Sequence, residues 1–293
     1  MSVLASGAAL LASVGWASAI VLAERPARAL GAFDFTRIQL IICATAACGI
    51  CTAFGLWQSV QLSDWPAYAV SACVGVIIGN LAMVGCLRLG GPRRAELLVS
   101  MKALVIGVIA FFWFGELPDP LELLGAALVL IGILLAIAPD PEERRHAAPL
   151  WQVIALGVIA TVSQSLGFLV VKPALTAGAD PIAVTAIRLS GAAVLIALAA
   201  PVLGARLATG AAKTPGMIAA AAVPGLMGYV LCSSLLLYAL ANMDAAVASV
   251  LGSLSPVLVL PILWRRNGAR PTARSAGGAL ACCLGIALIL SGG

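Results

Sequence analysis

Near the middle of the chain, one short segment interrupts an otherwise apolar sequence: Pro139-Asp140-Pro141-Glu142-Glu143-Arg144-Arg145-His146-Ala147-Ala148-Pro149. It is densely charged and bracketed by prolines, and no other segment combines these two properties. Long apolar runs lie on both sides of it. The segment therefore predicts a linker, residues 139–149, between two halves of similar design, residues 1–138 and 150–293.

The composition excludes a soluble globular protein. Hydrophobic residues make up 62% of the 293 residues and charged residues only 10%, against about 25% charged in soluble proteins. About 20 apolar residues in a helix cross the ~30 Å hydrocarbon core of a bilayer, and helices satisfy their own backbone hydrogen bonds there. The sequence predicts an all-α integral membrane protein whose surroundings are the lipid bilayer.

Ten apolar runs are long enough to be transmembrane helices, and the connections between them are short. No basic segment precedes the first run, which we interpret as a mature helix rather than a cleaved signal. The predicted spans are Val3–Ala23, Phe35–Leu56, Ala67–Leu87, Ala95–Phe114, Leu121–Ala138, Leu150–Val171, Pro181–Leu203, Met217–Leu240, Ala245–Trp264 and Ala273–Leu290.

The two halves repeat the same landmarks in the same order, which indicates an internal duplication. Each first helix ends in a basic residue and a proline, each second helix carries an arginine, and glycines recur at matching places. The matched pairs are Arg25-Pro26 with Lys172-Pro173, Arg37 with Arg188, Gly75 with Gly225, Gly125 with Gly278, and Gly132 with Gly285.

Loop charge predicts the orientation, because cytoplasmic loops are enriched in Lys and Arg. Thirteen of the 17 basic residues lie in the odd-numbered loops or at the helix ends beside them, and only Lys172 lies in a terminus or an even-numbered loop. Odd-numbered loops, including the linker, are therefore expected in the cytoplasm and both termini outside. Five crossings per half invert the second half, and inverted repeats are a recurring transporter architecture with a site near the membrane midplane.

Several kinds of chemistry lack the residues that they need. The one histidine, His146, lies in the linker, so the spans contain no Ser/His/Asp or Cys/His set for an enzyme. All eight cysteines lie in apolar runs, and the Cys48–Cys51 pair has no further Cys or His to complete a metal site. Scattered basic residues give no nucleic-acid surface. We expect no catalytic residues, no metal, no cofactor and no nucleic-acid partner.

Polar and aromatic residues inside the spans are the candidate substrate-binding residues, because polar groups in lipid are costly. Each of them could instead form an interhelical hydrogen bond or pack between helices. Pro256 also lacks an amide hydrogen and predicts a kink beside two serines. The neutral candidates are Trp16, Asn80, Ser163, Gln164, Tyr229, Ser253, Ser255 and Pro256.

Two charged residues complete the candidate site. Lys102 and Arg188 each lie seven to eight residues into a predicted span, whereas Arg37 is close enough to a helix end to reach the interface. No Asp or Glu lies in the middle third of any predicted span. This pattern disfavours coupling through a buried carboxylate and favours facilitated transport or exchange.

The order of these landmarks resembles the drug/metabolite transporter superfamily, specifically its ten-helix EamA-type members. Trp16, Arg25 and Arg37 match the first unit of that family, and Lys172 and Arg188 match the second. The segment 245–257, Ala-rich and containing Pro256, is the best match, while helix four has Ile106 at the corresponding position. The resemblance implies a membrane transporter built from two inverted five-helix repeats.

The sequence thus predicts an inner-membrane, multi-pass transporter that moves small metabolites by alternating access. Amino acids or similar neutral or zwitterionic compounds are the expected substrates, and export is the expected direction. The cavity is expected between helices one, three, four, six, eight and nine. The alternatives are a flippase, or a partner subunit for a lipid-linked substrate without independent solute transport. Monomer and homodimer are both left open.

Overall fold

The computed structural model describes residues 3–115, 119–136, 149–201, 214–255, 257–258, 264 and 273–292. Within these residues the chain is helical and contains no strand. Most of the predicted linker lies outside them. The α-helices are α1 (Val3–Phe54), α2 (Trp65–Val70), α3 (Gly79–Ser100), α4 (Lys102–Phe114), α5 (Pro120–Ala136), α6 (Leu150–Leu169), α7 (Lys172–Thr176), α8 (Pro181–Ala199), α9 (Pro215–Gly225), α10 (Ser233–Asn242), α11 (Ala245–Leu251) and α12 (Ala273–Gly292).

Five helical segments of the described chain are long and apolar enough to cross a membrane. Shorter apolar helices are Lys102–Phe114, Pro120–Gly132 and Gly277–Leu288. The prediction of all-helical membrane architecture agrees with this, while the count of ten spans stays a prediction. The five long segments are Val3–Phe54, Leu62–Gly91, Leu150–Thr176, Pro181–Ala199 and Pro215–Asn242.

The longest of these segments, α1, contains a backbone break. A straight 52-residue helix would be about 78 Å long at 1.5 Å per residue, far longer than the bilayer is thick. Gly31, with φ 79° and ψ 164°, divides α1 into two arms. Gly178, 147 residues later in the sequence, also has a positive φ, 104°. Both glycines separate the first helix of a half from the second, in a conformation that side-chain-bearing residues rarely adopt.

Each half also carries a π-helical segment inside the third of its predicted spans. These segments are Ser71–Ile78, which joins α2 to α3, and Leu226–Cys232, which joins α9 to α10. The wider turn of a π-helix interrupts the regular hydrogen-bond ladder, and such segments are frequent at functional sites. Pro224 precedes the second segment. Nearby, the Gln39 side chain donates a 2.9 Å hydrogen bond to the carbonyl of Ala221.

The last helices of the two halves, α5 and α12, pack against each other through matched glycines. A Cβ added at Gly132 would lie 2.6 Å from the Gly278 carbonyl oxygen. One added at Gly285 would lie 2.5 Å from the Gly125 carbonyl oxygen. The contact between Gly132 and Gly278 is thus repeated by their sequence counterparts, Gly285 and Gly125, and the two helices run antiparallel. A two-fold relation between repeats produces this reciprocal pattern, which supports the predicted inversion.

A second close crossing brings the π-helical segment of the first half against α6 of the second. The Cα of Gly75 faces the Cα of Gly167 so closely that a Cβ on Gly75 would lie 2.6 Å from it. Small residues allow helix backbones in membranes to approach in this way. In the other half, Gly228 of the second π-helical segment faces Trp16 of α1. The halves are thus interleaved rather than packed as separate blocks.

The helix at residues 245–257 is discontinuous. α11 ends at Leu251, and residues 252–254 form a turn before the helix resumes at Ser255. Ser13 of α1 stabilises this turn, since its Oγ donates to the Leu251 carbonyl at 2.6 Å and accepts from the Leu254 amide at 3.3 Å. The predicted kink residue, Pro256, lies outside the described residues. The observed interruption comes just before it in the chain.

Candidate functional site

A cavity of about 100 Å³ lies between the two halves. Its lining comes from α1, the first π-helical segment, α3 and α4 on one side, and from α6, α8, α9, the second π-helical segment, α10 and Ser255 on the other. Seven of the ten residues predicted from the sequence line this cavity: Trp16, Asn80, Lys102, Gln164, Arg188, Tyr229 and Ser255.

Lys102 opens α4, immediately after the joint with α3 at Met101, and its side chain is buried. The Nζ lies 3.9 Å from the centroid of the Trp16 ring and 5.9 Å from that of Phe168. An ammonium over an aromatic face gains about 2 kcal/mol when it is desolvated. The aromatic rings therefore offset part of the cost of holding this cation inside the membrane domain.

Arg188 lies in α8 and is also buried, with 4% of its surface exposed. Its Nε donates a 2.6 Å hydrogen bond to the Ser71 Oγ. Ser71 in turn donates to the Gly167 carbonyl. Hydrogen bonds therefore link Arg188 through Ser71 to the crossing of Gly75 and Gly167. The Arg188 Cζ lies 4.8 Å from the Phe168 ring centroid. One phenyl ring therefore has a cation from each half within 6 Å.

Arg37, the sequence counterpart of Arg188, occupies a different environment. Its Nη2 pairs with the Asp34 Oδ1 at 3.0 Å, just after the break at Gly31. The arginine side chain remains one quarter exposed, which agrees with its predicted position near a helix end. Arg37 does not line the cavity. Of the two matched arginines, one is therefore ion-paired and partly exposed, and the other lies at the cavity.

Neutral polar groups lie among the mostly apolar residues that line the rest of the cavity. Asn80 is buried in α3, and the Gln164 amide lies 3.5 Å from the Gly79 carbonyl and 3.6 Å from the Met83 sulfur. The Tyr229 hydroxyl is buried and has no hydrogen-bond partner among the described residues. These groups could meet a solute with hydrogen bonds and an aromatic wall.

Three predicted residues are not among those that line the cavity. Ser163 is buried and packs near Gly79 at the crossing of α3 and α6. Ser253 lies in the turn after α11, where its Oγ is buried with no hydrogen-bond partner in the described part of the chain. Pro256 lies outside the described residues, so its role in the site stays a prediction.

The sequence-based prediction missed several lining residues, some of them because the expected cavity helices did not include the second span of either half. Gln39 and Thr185 come from those spans, and the rule that singled out other intramembrane polar residues would have found both. Phe168 carried no such signal, since a phenylalanine in an apolar run resembles an ordinary packing residue. Only its position between two cations distinguishes it.

The described lining residues carry positive charge and no negative charge. Lys102 and Arg188 are the cations among them, and no Asp or Glu is present in that set. Within the described residues, no three His, Cys, Asp or Glu side chains lie close enough together to hold a metal ion. The electrostatics of the cavity therefore favour groups that bear negative charge.

The helices and the cavity define a class: a polytopic membrane protein whose two repeats enclose a small cavity with apolar, aromatic and polar lining residues. A family model described as the EamA-like transporter family matches residues 4–138 and again residues 151–291. The chain belongs to the EamA-like transporter family, as the sequence resemblance implied. Membership makes it a multi-pass membrane protein of a transporter family.

A solved structure has the same fold. It is titled only as the crystal structure of a protein, and it superposes with a TM-score of 0.77 over 97% of this chain and 95% of the other. The two sequences are 19% identical, so the likeness concerns the fold alone. A search of curated proteins finds no match to this chain.

Proposed function

We propose that the protein transports small metabolites, amino acids or similar zwitterionic compounds, through the cavity between its two repeats. The observation that carries this proposal is the cavity itself, at the crossing of helices from both halves. Its lining combines apolar and aromatic side chains with several neutral polar ones and two charged ones. Its volume of about 100 Å³ is well below the 300–1,000 Å³ typical of sites for drug-sized ligands. Small solutes therefore fit better than large drugs.

Alternating access is the proposed mechanism. Backbone breaks at Gly31, at Gly91 and in the turn after α11, together with two π-helical segments, give the bundle places to bend. Hinges of this kind absorb the backbone changes of domain motion. The reciprocal packing of α5 and α12 supplies a pseudo-symmetric axis about which the two halves could exchange conformations.

Export from the cytoplasm is the proposed direction, across an inner membrane with the odd-numbered loops cytoplasmic. The cavity lining extends to Ala23 and Leu87, each next to the basic residues of an odd-numbered loop. At the other face, the Asp180 amide donates a 2.9 Å hydrogen bond to the Ser59 Oγ and joins two even-numbered connections. This arrangement supports a cavity that is loaded from the odd-loop side.

The experiment is a ligand screen of the purified protein by thermal unfolding, followed by flux measurements in proteoliposomes. A ligand at ~100 times its dissociation constant stabilises a protein by ~2.7 kcal/mol. We expect stabilisation by amino acids and then efflux or counterflow of the same compounds. A folded protein that responds to none of them, but is stabilised by a lipid-linked compound, would instead favour a flippase or a partner subunit.

A further inference from the structure

One buried arginine at the cavity, Arg188, has neutral groups as its contacts. It is 4% exposed and lines the cavity. Its Nε donates a 2.6 Å hydrogen bond to the Ser71 hydroxyl, and its Cζ lies 4.8 Å from the centroid of the Phe168 ring. Within the residues that the structure describes, no carboxylate forms an ion pair with Arg188. This arginine therefore brings to the cavity a positive charge that its neighbours do not neutralise.

A buried cation of this kind is costly inside a membrane domain. Charged side chains there are rare, and they pair with other groups, face a water-filled cavity or mark the pathway of a substrate. The Phe168 ring and the Ser71 hydroxyl offset part of the cost but leave the positive charge in place. A solute that brings an anionic group to Arg188 supplies a counter-charge, whereas a neutral or cationic solute does not.

The hydrogen bond with Ser71 holds Arg188 and leaves its terminal nitrogens for a ligand. This bond uses the Nε donor, while the Ser71 Oγ itself donates to the Gly167 carbonyl at the crossing of the two repeats. Among the described residues, none accepts a hydrogen bond from the two terminal nitrogens. Four of the five N–H donors of a guanidinium are on these nitrogens, and this fork matches the two oxygens of a carboxylate.

Most of the other residues that line the cavity are apolar. They include Ile20, Val76, Val84, Leu87, Val99 and Leu189. Burial of an apolar chain against such residues is favourable, and a cavity of about 100 Å³ leaves room for a compact chain only. The described lining contains no Asp or Glu, so it offers no ion pair to the ammonium of an amino acid.

We propose that Arg188 anchors the carboxylate of the solute and that the apolar lining receives its side chain. The selected class is small monocarboxylates with a compact aliphatic chain, which includes aliphatic amino acids and the corresponding 2-oxo acids. This inference rests on the proposed transport function and names the substrate class of the same cavity. Lys102, the other cation of the lining, lies over the Trp16 ring and is not needed for this contact.

The test compares matched compounds on the full-length protein, with binding measured by thermal unfolding and by titration calorimetry. The first set shares one side chain and consists of valine, its 2-oxo acid, valinamide and isobutylamine. We expect valine and the 2-oxo acid to bind with similar affinity. Valinamide and isobutylamine should bind at least about 10-fold more weakly, because each lacks the charge-assisted contact with Arg188.

The second set keeps the carboxylate and shortens the side chain, with valine, alanine and glycine as its members. Alanine and glycine should bind progressively more weakly than valine, by roughly 4-fold for each buried carbon that they lack. Equal binding of the three would overturn the assignment of the apolar lining to the side chain of the solute.

Variants assign the preference for a carboxylate to one residue. Arg188→Gln should bring the ratio of valine affinity to valinamide affinity towards one. Arg188→Lys keeps the charge but loses the fork, so it should retain a preference for valine at lower affinity. Arg37→Gln is the matched control, because Arg37 is the sequence counterpart of Arg188, pairs with Asp34 and does not line the cavity. This variant should keep the wild-type ratio.

A change in the ratio, rather than loss of binding alone, separates an anchoring role from a structural one. The unfolding midpoint of each unliganded variant identifies any variant that fails to fold, and the comparison of valine with valinamide on the wild-type protein then carries the test. Valinamide or isobutylamine binding as tightly as valine would overturn the anchor, as would a wild-type ratio in Arg188→Gln, and both results would leave amino-acid transport intact. A folded wild-type protein that binds no amino acid at all would overturn the proposed function as well.

Discussion

The two halves share a backbone plan but differ in the charges that they bring to the cavity. Gly31 and Gly178 break the chain at corresponding places, and each half has a π-helical segment in its third predicted span. The charged side chains do not follow this symmetry. The first half supplies Lys102 from its fourth predicted span, whereas the aligned position of the second half is a glycine, Gly252.

The matched arginines, Arg37 and Arg188, also differ between the halves, and here it is the second half that supplies the cation at the cavity. Arg188 of the second half is buried at the cavity and bonded to Ser71, while Arg37 of the first half pairs with Asp34. Duplication supplied the backbone breaks, the π-helical segments and the helix crossings that surround the cavity. Divergence of single side chains then gave this space its two cations, one from each half.

The largest effect is expected at the glycine crossings. Gly75→Ala places a Cβ 2.6 Å from the Cα of Gly167, against backbone that cannot rotate away. In the other half, Gly225→Ala meets the flexible side chains of Cys43 and Gln39 at 3.0–3.2 Å. Overpacking typically costs ~1–3 kcal/mol, so we expect Gly75→Ala near the upper end and Gly225→Ala at or below the lower end.

Thermal unfolding of the two variants in one detergent measures this difference directly. Equal destabilisation would show that the crossings of the two halves are equally tight, contrary to the geometry. A full return of stability in Gly75→Ala on addition of substrate would show instead that the crossing adjusts during transport.

The next largest effect is expected from variants of the matched arginines, Arg188 and Arg37. Arg188→Gln should weaken binding of an amino-acid substrate roughly 10-fold or more, because a charge-assisted contact in the cavity is lost. Arg37→Gln should leave affinity unchanged and lower stability, because it removes the 3.0 Å ion pair with the buried Asp34 carboxylate. Adding Asp34→Asn to Arg37→Gln should recover part of that stability. Affinity losses of the same size in both single variants would contradict the assignment.

Ser71 is predicted to position Arg188 rather than to touch the solute. Ser71→Ala removes the acceptor of the Arg188 Nε and the donor to the Gly167 carbonyl. We expect a loss of about 2 kcal/mol in unfolding free energy and a smaller loss of affinity than in Arg188→Gln. The combination Ser71→Ala with Arg188→Gln should bind no worse than Arg188→Gln alone. Additive losses of affinity would indicate that Ser71 contributes independently.

The smallest effects are expected at the paired backbone breaks. Gly31→Ala and Gly178→Ala each force a side chain into positive φ, at a cost of roughly 1 kcal/mol. Gly49→Ala is the control, since Gly49 lies within α1, away from its backbone break, and no atom lies within 4 Å of an added Cβ. We expect similar losses at the first two positions and none at the third. A loss at only one of the pair would mean that the two breaks are not equivalent.

The fold was largely predictable because the membrane restricts which secondary structures can satisfy their backbone hydrogen bonds. Apolar runs separated by short charged connections leave few alternatives to a helical bundle, and the order of matched glycines and basic residues indicated the duplication. The sequence did not indicate the π-helical segments or the merging of the first two predicted spans into α1 across Gly31. These depend on local backbone geometry that an apolar run of residues does not encode in its periodicity.

The site was only partly predictable, for a similar reason. The free-energy cost of placing polar groups inside a membrane identified Lys102, Asn80 and Arg188 as candidates, and all three line the cavity. The same criterion also selected Ser163 and Ser253, which pack outside the lining, because a polar residue in a span serves helix packing equally well. The contacts of Phe168 with both cations depend on which helices meet, and this is settled only in three dimensions.

The most direct test of the central claim is a reversible chemical block of the cavity during flux in proteoliposomes. None of the described lining residues is a cysteine, so the wild-type protein serves as the reagent control. Ser233→Cys introduces a thiol into the lining and Ser18→Cys introduces one outside it. We predict that a water-soluble methanethiosulfonate stops amino-acid flux only in Ser233→Cys, that substrate slows the block, and that a reductant restores flux. Flux in labelled Ser233→Cys equal to that of labelled wild type would contradict transport through this cavity.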